Sequence, residues 1–150
     1  MSSKIKKIYI ENSVIGGYFD EDQKIPTRKL FKLFKKGVYV PIISDHVIGE
    51  LLKGAPDFVI ANLETINYIK HSVTDEMIEL FEKYMKQKIV SEKYKDDALH
   101  IAIATVIEVD VLVSWNFRHI VNLNRIQQFN SINLREGYKI LEIRSPEEII

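Results

Sequence analysis

The sequence predicts an α/β fold, a single domain in which helices flank a mainly parallel sheet. Short apolar runs rich in β-branched residues alternate along the chain with segments of helical periodicity, as in parallel sheets joined through helices. The pattern is strongest in residues 94–119, YKDDALHIAIATVIEVDVLVSWNFRH. Its apolar residues cover almost every side of a helix, which predicts burial, and Val111–Val113 follows as a short buried strand.

The first half of the chain contains two predicted strands, at residues 5–10 and 38–43. Between them, residues 27–36 repeat with helical periodicity and end at Gly37, a common helix terminator. Gly16 and Gly17 lack the GxGxxG or GK[ST] context of a phosphate loop, so we expect a turn or a loosely wound helix there. Ser44 suits the N-cap of a helix that runs to residue 53.

The second half is predicted mostly from helical periodicity and turn residues. Pro56 begins a helix that ends near residue 64, residues 67–70 form a short strand, and residues 74–86 form a strongly amphipathic helix. After the central stretch we expect a helix at 124–134 and a strand at 139–143. A capping box at 145–148, SPEE, predicts a final helical turn.

Composition narrows the classes of function. The chain has 150 residues, and its 21 Lys and Arg residues balance 21 Asp and Glu residues, so a nucleic-acid partner would have to bind a local basic patch. No cysteine is present, which excludes disulfides and thiolate metal sites and suits a reducing, cytoplasmic setting. We expect no signal peptide and no membrane span, because no apolar segment is long enough.

Four polar residues follow predicted strands or lie on the helices beside them, and in a parallel sheet such positions can converge at the edge where chemistry collects. Glu11 follows the first strand, and Glu50 lies on the helix after the second. Asp97 opens the buried helix, and Asn116 follows the strand after it. Three carboxylates brought together there would repel one another, by about 4 kcal/mol per pair ~4 Å apart at an effective dielectric of 20. All-oxygen ligands of this kind favour Mg²⁺ or Mn²⁺ over zinc.

Three motifs in this order resemble the PIN-domain family, and especially its VapC-like toxins from toxin–antitoxin pairs. They are IYIENSVIGGYF, SDHVIGELL and DDALHIAIATVIEVDVLVSWNFRHI, and the resemblance extends from about Lys4 to Asn122. It implies a doubly wound parallel sheet and an endoribonuclease that uses Mg²⁺ or Mn²⁺. It also implies an RNA substrate, a cognate antitoxin and, by analogy, a homodimer.

The resemblance assigns the catalytic and metal-binding positions to Glu11, Glu50, Asp97 and Asn116. Ser13 matches a hydroxyl residue that assists near the first acid. Two of these residues depart from the family pattern. Glu11 replaces the usual aspartate and reaches one methylene further, and Asn116 offers a neutral carbonyl oxygen where an acid is common. We expect a second metal ion to bind more weakly as a result.

Each of these residues also has an ordinary structural explanation. Asp96 and Asp97 could both cap a helix, and the family motif selects only Asp97 as a site residue. His100 lies on the buried helix, where a hydrogen-bonded core histidine is expected. His46 and Glu50 are spaced i,i+4, as metal ligands often are, but no third nitrogen or sulfur ligand is evident in the sequence. We therefore expect no zinc site.

A basic stripe of Arg28, Lys32 and Lys35 recurs at helical spacing. Such a stripe is usually a solvated face, but beside an acidic metal site it could follow an RNA backbone. We expect RNA contacts there and at Ser13. The alternative is a catalytically weakened PIN-like module that binds RNA or protein.

Overall fold

A parallel sheet lies at the centre of the structure, a computed structural model that describes residues 4–150. In this part of the chain the sheet has five strands, with the order β3-β2-β1-β4-β5, and every pair is parallel. The strands are β1 (Lys6–Ile10), β2 (Tyr39–Ser44), β3 (Ile69–His71), β4 (Val111–Val113) and β5 (Ile143–Arg144). The strand order reverses beside β1, which confirms the predicted doubly wound α/β class.

Helices connect the strands and flank the sheet. They are α1 (Asn12–Gly17), α2 (Lys24–Lys35), α3 (Asp45–Gly54), α4 (Asp57–Leu63), α5 (Asp75–Lys86), α6 (Lys95–Ile107) and α7 (Leu123–Arg135). Short 3₁₀ turns occupy Glu92–Tyr94 and Pro146–Glu148. The region around Gly16 and Gly17 is therefore a short helix, one of the two outcomes expected from the sequence. No helix among residues 4–150 has the length and apolar character needed to cross a membrane.

Side-chain caps fix where several helices begin. Ser44 Oγ accepts a hydrogen bond from Val47 N at 3.3 Å, and Asn122 Oδ1 accepts one from Arg125 N at 3.2 Å. Each cap satisfies a backbone donor that has no partner inside the helix. The cap at Ser44 sets the start of α3, the helix that carries Glu50, directly after β2.

Helix α6 is buried on nearly every side, as its sequence predicts. Five of its apolar side chains have no measurable solvent exposure: Ala98, Ile101, Ala102, Ile103 and Ala104. The helix ends at Glu108 in the left-handed conformation, with φ 61°, and the chain turns into β4. Burial on all sides fixes the rotation of α6 and therefore the direction of the polar residues in its first turn.

The last strand is shorter than the sequence predicts. Residues 139–143 were expected to form it, but β5 contains only Ile143–Arg144. The Asn130 side chain on α7 instead bonds the backbone of Leu141, accepting from its N at 2.7 Å and donating to its O at 3.1 Å. An amide side chain thus takes the place of a strand partner at this position.

A candidate metal centre at the carboxyl edge of the sheet

Glu11, directly after β1, is a buried carboxylate held by local hydrogen bonds. Its side chain is only 5% exposed. Its Oε2 accepts from Ser13 N at 3.1 Å, so Glu11 caps α1, and its Oε1 accepts from Ser13 Oγ. Burial of an acid usually requires a cationic partner, and neither of these donors is charged.

Ser13 connects Glu11 to the end of β4. Its Oγ accepts a hydrogen bond from Trp115 N at 2.9 Å, while Trp115 Nε1 donates to Thr27 Oγ1 on α2 at 2.9 Å. A Cβ added at Gly17 would lie 2.9 Å from the Trp115 ring, so the missing side chain at Gly17 makes room for Trp115. Ser13 is therefore a positioning residue for Glu11, and Trp115 packs in the core.

Asp97 and Asn116 meet across the gap between α6 and the end of β4. Asn116 Nδ2 donates to Asp97 Oδ2 at 3.2 Å. Asn116 Oδ1 accepts from two backbone N–H groups, Arg118 N at 3.1 Å and His119 N at 2.9 Å. Two N–H donors at one atom fix the orientation of the amide, because a flipped amide would point its own NH₂ group at these two N–H groups. The NH₂ group of Asn116, and not its oxygen, consequently faces the acids.

Asp97 has a raised pKa, because it is partly buried and lies near other carboxylates. Burial, and then the charge of Glu11, raise the pKa of Asp97 to about 6. Glu50 adds to this rise in the pKa, whereas His100 and the Asn116 hydrogen bond oppose it. Among residues 4–150, no Lys or Arg forms an ion pair with Glu11 or Asp97. The centre is thus an uncompensated group of oxygen ligands, which suits a hard divalent cation.

Glu50 lies beside this centre and is bonded to a buried histidine. Its Oε1 accepts from His100 Nε2 at 2.6 Å. Burial would raise the pKa of Glu50, but the hydrogen bond and charge of His100, with the charge of His46, lower it. His100 is 1% exposed, and its Nδ1 lies 2.8 Å from Tyr9 Oη. The expected hydrogen-bonded core histidine is confirmed.

His46 brings a second imidazole next to Glu50. His46 Nε2 lies 3.6 Å from Glu50 Oε1 and 3.1 Å from Asp96 Oδ1. Burial, and then the charge of His100, lower the pKa of His46. We expected no zinc site because the sequence shows no third nitrogen ligand for His46 and Glu50. That reason is wrong, because α6 places a His100 nitrogen within 4.8 Å of the ligand atoms of both residues.

Comparison with solved protein structures identifies the fold of this chain. No protein-family model matches the sequence, and no curated protein matches it. The structure is similar to a chain of VapBC2 from Rickettsia felis, solved bound to a DNA fragment from its promoter. The TM-score is 0.57 at 14% identity, over 92% of this chain and 98% of that one. It is also similar to VapC20 of Mycobacterium tuberculosis, described as a Sarcin-Ricin loop cleaving toxin. There the TM-score is 0.51 at 15% identity, over 90% of this chain and 98% of that one.

The chain has the PIN-like fold of VapC toxins. The family resemblance seen in the motifs is confirmed at the level of fold, and identities this low transfer no residue roles. In this PIN-like chain, Glu11, Asp97 and Asn116 gather at the carboxyl ends of β1 and β4, where the strand order reverses. Glu50 joins them from α3. Asp96 instead lies beside His46, 3.1 Å from its Nε2, and 52% of the Asp96 side chain is exposed.

The PIN-like chain also contains a histidine that sequence reasoning did not assign to the site. His100 lies three residues after Asp97 on α6, so the two share a helix face, and that spacing was the available signal. Nothing in the sequence predicts that His46 approaches His100, which lies 54 positions away and on another helix. Their ring centroids are 4.8 Å apart.

The basic stripe is divided between fixed and free side chains. Arg28 Nε donates to Tyr18 O at 3.0 Å, and its guanidinium lies 4.8 Å from the centroid of the Tyr18 ring. Lys32 and Lys35 are exposed, and neither forms an ion pair among residues 4–150. The two lysines are thus available to phosphates, whereas Arg28 holds α2 against α1.

Proposed function

We propose that this chain is a Mg²⁺- or Mn²⁺-dependent endoribonuclease that hydrolyses RNA phosphodiester bonds. The observation that carries the proposal is the uncompensated pair of Glu11 and Asp97 at the switch point of the parallel sheet. Ligand sites in open α/β sheets lie at this edge. Glu50 extends the acidic group on the side of α3.

The residues present fit a hard divalent ion. Glu11, Glu50 and Asp97 offer oxygen ligands. A bound cation would favour the charged form of Asp97, whose pKa burial and then the charge of Glu11 raise. Asn116 directs its NH₂ group at Asp97, so we assign it the role of orienting that carboxylate and completing the shell around it. Ser13 holds Glu11 in place.

A divalent ion at this edge would supply Lewis-acid stabilisation of a phosphodiester and lower the pKa of water. The chain's own contribution is to position the three proposed ligands directly after β1, on α3 and on α6. Lys32 and Lys35 would bind phosphates of the RNA backbone, with Arg28 beside them. Ser13 has both its donor and acceptor capacity engaged by Glu11 and Trp115, which favours support of Glu11 over the RNA contact expected there.

The structural neighbours support a proposal for the biological setting. One structural neighbour is described as a cleaving toxin and the other as VapBC2 bound to promoter DNA. We therefore propose that this chain acts as one PIN-like domain in the cytoplasm, as the toxin of a toxin–antitoxin pair. A cognate antitoxin protein and a homodimeric assembly are part of this proposal.

A second candidate function is a weakened PIN-like module that binds RNA or protein. The orientation of Asn116 favours it, because the side chain presents hydrogen-bond donors toward Asp97 where a fourth acid would present another ligand. With fewer anionic ligands, a metal ion would bind less tightly and stabilise less charge on the substrate.

A cleavage assay separates the two functions. End-labelled structured RNA is incubated with the purified chain and Mn²⁺ or Mg²⁺, with and without EDTA. We expect internal cleavage that EDTA abolishes and that Asp97→Asn or Glu11→Gln reduces by on the order of 100-fold or more, since each loses a proposed ligand. Asp57→Asn is the matched control, because Asp57 is an exposed residue of α4.

Three results contradict the nuclease proposal. Cleavage that persists in EDTA would mean that the acids hold no essential metal. Equal cleavage by Asp97→Asn and Asp57→Asn would suggest a contaminating nuclease. RNA binding without cleavage in the presence of either metal would favour the binding module.

A further inference from the structure

A second cluster of ligand atoms lies beside the acidic centre and differs from it chemically. His46 and Glu50 lie one turn apart on α3, and His100 faces them from α6. The ligand atoms of the three side chains all lie within 4.8 Å of one another. Two imidazole nitrogens and one carboxylate oxygen form a donor set different from the oxygen ligands of Glu11 and Asp97.

We propose that His46, Glu50 and His100, completed by Asp96, bind a borderline-soft divalent ion, with Zn²⁺ preferred. This His₂-carboxylate site, defined by those four residues, is separate from the proposed Mg²⁺/Mn²⁺ centre and shares only Glu50 with it. The metal-binding inference does not depend on nuclease activity.

The distances suit a tetrahedral ion. With Zn–N and Zn–O bonds of about 2.0–2.2 Å, neighbouring ligand atoms lie roughly 3.3–3.6 Å apart. His46 Nε2 already lies 3.6 Å from Glu50 Oε1 and 3.1 Å from Asp96 Oδ1. The His100 Nε2 to Glu50 Oε1 distance of 2.6 Å is a hydrogen bond, and it would widen by roughly 1 Å when an ion replaces the shared proton.

An orphaned nitrogen provides independent support. His46 Nε2 is buried and has no hydrogen-bond partner in the described part of the chain. Asp96 Oδ1 is near, at 3.1 Å, but the pair lacks hydrogen-bond geometry. Leaving such an atom unsatisfied destabilises the fold, and coordination of a metal ion would satisfy it.

A buried relay of hydrogen bonds runs from His100 through Tyr9 to Ser44. Such a relay can support a histidine that binds a metal. To bind a metal through Nε2, His100 must carry its hydrogen on Nδ1. Tyr9 Oη, 2.8 Å from Nδ1, is then the acceptor, and it can donate in turn to Ser44 Oγ, also at 2.8 Å. Histidine ligands of metals almost always donate their second N–H in this way. The relay fixes the ring orientation, and Tyr9 Oη can accept the Nδ1–H that coordination needs once an ion replaces the proton between Nε2 and Glu50.

The donor set separates this site from the acidic centre. Imidazole nitrogen favours Zn²⁺ and other late transition metals, whereas Mg²⁺ prefers oxygen and keeps much of its water. Glu50 contributes to both sites, so Zn²⁺ bound by the histidines should weaken Mn²⁺ binding at Glu11 and Asp97. This last consequence rests on the proposed function, and the Zn²⁺ site itself does not.

Calorimetric titration of the metal-free full chain with Zn²⁺ tests the site. His46→Gln is the informative variant, because His46 is partly exposed and its replacement leaves the buried relay intact. We expect its Zn²⁺ affinity to fall by on the order of 100-fold. His71→Gln, a change at the half-buried end of β3, should bind Zn²⁺ as the wild type does. Co²⁺ in place of Zn²⁺ should give the visible absorption of a tetrahedral ion, lost in His46→Gln.

Mn²⁺ titrations of the same proteins distinguish this inference from the proposed nuclease. Asp97→Asn should lose Mn²⁺ affinity and keep Zn²⁺ affinity. His46→Gln should lose Zn²⁺ affinity and keep Mn²⁺ affinity. Equal Zn²⁺ affinity in wild type and His46→Gln would overturn the His₂-carboxylate site and leave the acidic centre standing. If Asp97→Asn and His46→Gln both keep the Mn²⁺ affinity of the wild type, the result would count against the nuclease and leave the zinc site standing.

Discussion

Asp97 holds its charge in a partly buried position beside the Glu11 carboxylate. Its pKa of about 6 lies above the ordinary value of 3.8. Between these pH values the folded chain keeps a proton that the unfolded chain has released. Stability of the metal-free protein therefore falls as pH rises through this window, and the full penalty applies above pH 6. Asp97 thus lowers the stability of the metal-free protein at neutral pH.

Replacing this charge should stabilise the metal-free protein. A rise of roughly two pKa units corresponds to about 3 kcal/mol, which solvent screening of a partly exposed group reduces to about 1–2 kcal/mol. We expect Asp97→Asn to unfold at higher urea concentration than wild type at pH 7.5 in a chelator, and at the same concentration at pH 3.5.

The exposed control Asp57→Asn should show no such pH-dependent difference. If Asp97→Asn instead lowers stability at pH 7.5, the hydrogen bond from Asn116 outweighs the repulsion from Glu11. The carboxylates would then be compensated without a metal ion.

At the scale of elements, α2 adjoins the acidic centre through one hydrogen bond. Thr27 on α2 accepts from Trp115 Nε1, and Trp115 immediately precedes Asn116. The free lysines of the same helix therefore belong to an element that is fixed to the end of β4. Arg28 contacts Tyr18, so its reversal would disturb packing as well as charge.

Charge reversal at Lys32 and Lys35 is thus the cleaner test of RNA contacts. Because each phosphate contact releases counterions, we expect Lys32→Glu with Lys35→Glu to weaken RNA binding and to reduce the salt slope by about 2. Folding should be unaffected, because both side chains are exposed. Fluorescence anisotropy over a range of salt concentrations, with unlabelled competitor RNA absent, measures both quantities.

A matched reversal outside α2 controls for net charge. Lys86→Glu with Lys139→Glu changes the total charge by the same amount at two other exposed positions. If both pairs weaken binding equally, RNA responds to the overall charge of the protein, and the stripe on α2 is only a solvated face.

The elements were predictable where short-range chemistry decides them. Ser44 and Asn122 cap helices where the sequence predicted a start or within two residues of it, because capping depends on neighbours in the chain. The end of the sheet was less predictable. The Asn130 bonds to Leu141 replace strand pairing, and they join residues whose contact depends on how α7 packs.

At the scale of the whole molecule, strand order creates the centre. β1 pairs with β2 on one side and β4 on the other, which brings the residues after all three strands to one edge. The alternation of strands and helices predicts a parallel sheet but does not give its order. Glu11, Asp97 and Asn116 were found from their places beside predicted strands and helices, and the motif resemblance assigned their roles. The approach of His46 to His100 depends on packing between α3 and α6, which no local pattern encodes.

Metal binding should be linked to the stability of the whole fold, and Asn116 offers a way to strengthen the link. Asn116→Asp can keep the two backbone hydrogen bonds at one oxygen. The other carboxylate oxygen would replace Nδ2, which lies 3.2 Å from Asp97 Oδ2. Repulsion should lower the metal-free melting temperature by roughly 3–6 °C, from about 1–2 kcal/mol of screened repulsion.

The added charge should also tighten Mn²⁺ binding, so both effects share one origin. At 100 times its Kd, Mn²⁺ stabilises the native state by about 2.7 kcal/mol, or roughly 5–10 °C for a protein of this size. At a fixed Mn²⁺ concentration we expect a larger rise for Asn116→Asp than for wild type, and an unchanged rise for the exposed control Asn67→Asp. Melting curves with calorimetric Mn²⁺ titration measure both. If the metal-free melting temperature and Mn²⁺ affinity of Asn116→Asp both match wild type, Asn116 only caps the turn at His119, and Glu11, Glu50 and Asp97 alone form the centre.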